Sequence, residues 1–155
     1  MLDDNNNKKE IMLLLNGINK FKFTLLPGFL SIYSIIYGIQ FIFRTREAYK
    51  VSNLYISLSN FMDLRVFGIL LIIAGALIIS SLFLGKIISR PFVIIGCVIN
   101  FGLWLIYVFI SADNSAMQST VTIKILISSF NLFIAIATLA EMKIESMINS
   151  EQRKQ

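Results

Sequence analysis

The run VFGILLIIAGALIISSLFLG, residues 66–85, contains no charged residue, and its reading decides the fold. A helix rises about 1.5 Å per residue, so the run is about 30 Å long, the thickness of a bilayer's hydrocarbon core. Its apolar side chains cover every side of such a helix instead of one stripe, as expected of a segment surrounded by hydrocarbon. Two more uncharged runs of this kind occupy residues 23–43 and 91–112. A fourth, 121–142, is uncharged from 125 to 140 and carries Lys124 and Glu141 near its ends, where long side chains are expected to reach toward headgroups.

Composition agrees. The chain has 155 residues, 56% hydrophobic and 15% charged, against about 45–50% and about 25% for soluble domains. So short a chain cannot hide that much apolar surface in a core of its own. Unpaired backbone groups are intolerable in lipid, so each run should be a helix. The expected fold is therefore all-α: an integral membrane four-helix bundle with short loops.

Around the spanning domain, 23–142, the remaining segments are polar or amphipathic. Residues 1–22 form a polar N-terminus in which Ile11, Leu14, Leu15, Ile18 and Phe21 suggest a short interfacial helix. No cleavable signal is expected, because the apolar run 11–15 is too short and Asp3, Asp4 and Glu10 precede it. Residues 44–65 read as an external interfacial segment with Val51, Leu54, Tyr55, Leu58, Phe61 and Met62 on one face. Residues 143–155 form a polar tail that extends the last helix. Pro27 and Gly28 either kink the first span or mark its start. Ser89 and Pro91 fit the N-cap and first turn of the third, and Gly85 a helix stop.

The net charge is +5, and its placement matters more than its size. With cytoplasmic termini, the inner side holds Lys8, Lys9, Lys20, Lys22, Lys86, Arg90, Lys143, Arg153 and Lys154. The outer side holds Arg44, Arg46, Lys50, Arg65 and Lys124. The excess of positive residues inside favours that orientation in a cell membrane. No basic helix or aromatic-basic stripe points to nucleic acid. Anionic lipid headgroups are the simpler partner. Abundant isoleucine, asparagine and lysine fit an AT-rich genome, such as that of a low-GC bacterium or its phage.

Chemistry-bearing residues are few. The chain has no histidine and one cysteine, Cys97, so neither an intramolecular disulfide nor a Cys-based zinc site is available. The spans hold no central acidic residue, which small four-helix proton-coupled exporters need, and no cysteine pair, which four-helix thiol oxidoreductases need. No serine stands beside a general base in a plausible site. No enzyme activity, metal or cofactor is expected.

Helix packing is the expected use of the remaining polar and small residues. Asn100 and Asn131 stand at similar distances from the link between the last two spans, so antiparallel neighbours bring them to similar depth, within hydrogen-bonding reach. Small residues form contact stripes: Gly28, Ser31, Ser34 and Gly38 in the first span, Gly68, Ala74, Gly75 and Ala76 in the second. Ser128, Asn131, Ala135 and Thr138 give the fourth span a weakly polar face, which either abuts a neighbour or lines a water path in an oligomer. Trp104 and Tyr107 are read as packing groups, Tyr49 and Tyr55 as a belt at the interface.

Residues 60–75, NFMDLRVFGILLIIAG, resemble a pattern in small uncharacterised membrane proteins of phages and prophages. There a hydrophobic-Gly pair opens a span and Ala-Gly follows, as Phe67-Gly68 and Ala74-Gly75 do here. Those proteins often carry tryptophan where Phe67 stands, and the likeness covers roughly the last three spans. It implies a phage-encoded protein at the host membrane and no catalytic residue. The functional expectation is a non-enzymatic multi-pass protein of a bacterial cytoplasmic membrane that packs with itself or with a membrane-protein partner. A holin-like or channel-like oligomer and a small accessory subunit of a transporter are the alternatives.

Overall fold

The structure, a computed structural model, describes residues 25–43, 53–112 and 118–152. The expected N-terminal interfacial helix, Tyr49 and the end of the tail lie outside them. Every element among the described residues is a helix: α1 Leu26–Phe43, α2 Asn53–Phe61, α3 Leu64–Ser81, α4 Lys86–Ala112 and α5 Gln118–Gln152. Four of these, all but α2, are long and apolar enough to cross a membrane.

Their ends have local causes. Pro27 lies in the first turn of α1, where a missing N–H costs nothing, so it marks a start and not a kink. The Asp63 carboxylate caps α3 by accepting from the Arg65 amide at 2.7 Å. At the other end Leu82 N and Phe83 N donate to Ile79 O and Ser80 O, both at 3.1 Å, a tightened last turn.

Two expected boundaries are corrected. Gly85 does not close α3, which stops at Ser81, and no described glycine takes the positive φ of a glycine helix stop. Its carbonyl instead accepts from Ile88 N and Ser89 N, opening α4. Pro91 is not in the first turn. It sits inside α4, where it removes a single backbone donor near the helix start and the helix runs through.

The inward positions repeat every seven residues. In α3 they are Leu64, Leu71 and Ile78, then Phe67, Ala74 and Ser81, then Gly68 and Gly75. In α5 they are Lys124, Asn131 and Thr138, then Ile127 and Ile134, then Ser128 and Ala135. Helix α4 repeats Val93, Asn100 and Tyr107 and also Cys97, Trp104 and Ser111. This is the period of helices that pack lengthwise along a shallow left-handed seam.

Helix α1 packs on α3, α3 on α4 and α4 on α5, while α5 touches α1 and completes the ring. Trp104, Phe67 and Leu71 fill its centre. Helix α2 turns Leu54 and Leu58 into the bundle and leaves Ile56 and Phe61 exposed.

The α1–α3 contact depends on two glycines facing each other's backbone. A Cβ built on Gly38 would lie 2.6 Å from Gly68 O, and one on Gly68 would lie 2.6 Å from Gly38 O. One turn-pair further along, a Cβ on Gly75 would meet Ser31 O at 2.7 Å. These carbonyls belong to helical backbone and cannot swing aside. Gly28 is different: its nearest neighbour would be Leu82 Cδ1 at 3.6 Å, an ordinary contact, so it lies outside the close-packed stripe. Gly38→Ala and Gly68→Ala should each destabilise the detergent-solubilised protein by about 1–3 kcal/mol, the usual range for overpacking. Gly28→Ala should leave the unfolding midpoint unchanged. Equal midpoints for Gly38→Ala and the parent would refute the close approach.

Candidate functional site

Three helices converge on a polar core. Ser34 of α1 donates through Oγ to Asn100 Oδ1 at 2.8 Å, Asn100 Nδ2 donates to Asn131 Oδ1 at 3.2 Å, and Asn131 Nδ2 donates to Ile127 O at 2.8 Å. All three side chains are fully buried. Both amides stand at positions of the seven-residue repeat, which aims them at the bundle axis, and antiparallel packing of α4 and α5 sets them at one depth. Each group satisfies its neighbour, so the chain escapes most of the cost of burying unpaired amides.

The rest of the polar face of α5 is also turned inward. Ser128 Oγ donates to Phe101 O at 3.3 Å, Thr138 Oγ1 to Ile134 O at 2.8 Å, and Ala135 is buried between them in sequence. Of the small residues, Ser31, Gly38, Gly68 and Gly75 meet along α1–α3. Ala74 faces α4, where a Cβ on Gly96 would lie 2.9 Å from its carbonyl. Gly96 was not part of any expected stripe, and only the neighbouring helix reveals its use.

Two helical turns from Asn131 toward the α5 N-terminus lies an arrangement that sequence reading missed. Lys124 is only 4% exposed. Its Nζ stands 3.4 Å from the ring centre of Tyr107, 5.5 Å from that of Tyr37 and 5.7 Å from that of Trp104. The side chain expected at the headgroups is instead enclosed by ring faces, whose negative quadrupoles attract the cation. The reason is positional: Lys124 is one repeat before Asn131 and therefore points into the bundle. That spacing was the available signal.

The rings brace one another. Tyr37 meets Trp104 edge-on at 5.3 Å, Trp104 meets Tyr107 at 5.9 Å, and Tyr33 lies 4.5 Å from Tyr37 and 5.4 Å from Trp104. Phe41 continues the cluster to Phe67, Tyr107 and Tyr55. Tyr55 is thus part of the aromatic cluster and packs on Phe41. Trp104 is fully buried, and its Nε1 is the one buried side-chain nitrogen or oxygen without a hydrogen-bond partner among the described residues.

At the far end of α5, Arg90 grips Glu145 with two hydrogen bonds of 2.6 Å, NH1 to Oε2 and NH2 to Oε1. This bidentate pair joins α4 to α5. It lies 21 residues from Lys124, about 31 Å along the helix.

Asn100→Leu and Asn131→Leu should each cost about 1–2 kcal/mol, since each strips the other buried amide of one of its hydrogen bonds. The double variant should lose less than the two single losses combined, by roughly 0.5 kcal/mol or more. Strict additivity in detergent unfolding would exclude direct pairing.

No family model, curated protein or solved structure matches this chain.

Proposed function

We propose that this chain is a non-enzymatic multi-pass protein of a cell membrane, with both termini cytoplasmic, and that it acts through helix packing with itself or with a membrane-protein partner. One observation carries the reading: the long helices turn many large apolar side chains outward while a polar cluster is buried within the core. Large apolar side chains such as Phe29, Ile36, Ile95, Phe133 and Ile136 are exposed, while Ser34, Asn100, Asn131, Lys124 and Thr138 are buried. In water that exterior would be far larger than any apolar patch a soluble monomer tolerates. In hydrocarbon both features are favourable, and the distance from Lys124 to Glu145 approximates the apolar thickness to be crossed.

Packing is favoured over catalysis because the interior hydroxyls and amides are engaged with one another or with backbone carbonyls. It is favoured over a pore because the face from Ser128 to Thr138 is enclosed within the single chain. An oligomeric channel would need that face turned outward. The likeness of residues 60–75 to phage membrane proteins extends the proposal to a phage-encoded protein of a bacterial cytoplasmic membrane.

Alkaline carbonate should leave the expressed chain in the membrane pellet, and release into the supernatant would overturn insertion. Orientation is read from single cysteines placed on a Cys97→Ala background. A membrane-impermeant maleimide applied to intact cells should label Ser115→Cys, and should label Asn6→Cys and Gly85→Cys only after lysis. The opposite pattern would reverse the topology. Cells expressing the chain should exclude a small dye, whereas leakage would replace the packing reading with the pore.

A further inference from the structure

We propose that Lys124 and Trp104 form a binding site for a phosphate-type oxyanion, supplied by a phospholipid headgroup or by free phosphate. The first ground is a local surplus of donors. Ser34, Ser111, Ser128, Asn131 and Thr138 all find acceptors inside the bundle. Lys124 has three N–H groups and no acceptor, and the groups around its Nζ are ring faces. Ring faces attract the charge but do not replace an oxygen acceptor.

The second ground is the unpartnered indole nitrogen. Trp104 can only donate, and its Nε1 is buried without an acceptor on the very ring that lies 5.7 Å from Lys124 Nζ. A buried donor left unpaired is destabilising, and native proteins rarely keep one without cause. The one buried side-chain donor without an acceptor among the described residues thus belongs to a ring that lies beside an ammonium faced by ring faces. The partner that completes both is an anion presenting two oxygens, which a phosphate or phosphodiester does.

The third ground is depth. The apolar stretch of α5 begins at Val121. Lys124 lies three residues, about 4.5 Å, inside it, so the ammonium among the rings stands close to the depth of the headgroups. This lipid source rests on the membrane reading proposed above; the oxyanion chemistry does not.

Trp104 is the sole tryptophan, so its emission reports the occupancy of Nε1. The full chain in neutral maltoside micelles is titrated with phosphatidylglycerol and, separately, with inorganic phosphate at constant ionic strength. A saturable shift of the Trp104 emission is expected, with affinity weakened about tenfold or more in Lys124→Met, the loss typical of a charged hydrogen bond. Lys124→Met should stay folded, with an unfolding midpoint at or above the parent's, because it removes a buried charge. Saturation by phosphatidylglycerol alone assigns the lipid source, and saturation by inorganic phosphate assigns the free anion, even for a chain that proves not to insert. Absence of a saturable shift with either probe, or an identical shift in folded Lys124→Met, overturns the site.

Discussion

The inward-facing positions of the long helices return every seven residues, and the remaining architecture depends on that repeat. A straight helix has 3.6 residues per turn, so a face that recurs at 3.5 keeps contact with a neighbour only if the two helices incline and wrap slightly. Each pair of neighbouring helices then meets along one seam that follows their length. What occupies the repeated positions differs from seam to seam. On α3 they include Gly68 and Gly75; on α5 they include Lys124, Asn131 and Thr138. The same geometry therefore serves adhesion on one side of the bundle and register on the other.

Adhesion belongs to α1 and α3. In the membrane proposed for this chain helices gain nothing hydrophobic by meeting, so contact there would come from dispersion at short range and from hydrogen bonds. Gly38 and Gly68 allow backbone against backbone, the closest approach that two helices can make. Register belongs to α4 and α5. Aliphatic side chains tolerate a small slide, but Asn100 and Asn131 pair only at one setting, as buried polar residues at repeat positions do in coiled coils. The Arg90–Glu145 fork fixes the same pair of helices a second time near the other end of α5.

The long helices were legible because length and uncharged composition suffice to mark them. The Asn100–Asn131 contact was legible because a short link makes equal distance along the chain equal depth in the bundle. Boundaries were less so: Pro91 reads as a helix start, yet a proline near the start removes one bond and α4 extends back to Lys86. Membership of the small-residue stripe depends on what lies opposite. Spacing alone therefore admitted Gly28, which only grazes Leu82, and omitted Gly96, which meets α3. Lys124 was misplaced because a lysine near a span's end has two resting places, the headgroups or the interior. Rings brought by α1 and α4 decide between them, and these are distant in sequence.

The position of Lys124 is also a consequence of the amide pair. Lys124 and Asn131 share one face of one helix, so the setting that pairs Asn131 with Asn100 fixes where the ammonium meets Tyr107 and Trp104. A shift of α5 by one residue would rotate that face by about 100° and carry the ammonium away from the rings. A methionine at this position would fill a similar volume without the burden of a desolvated charge, and buried charges can often be replaced by apolar groups with gain in stability. Stability alone therefore does not account for a lysine here. The register set deep in the bundle by Ser34, Asn100 and Asn131 holds a cation and an unpaired indole N–H together one repeat away, and that juxtaposition is what the polar seam of α4 and α5 positions.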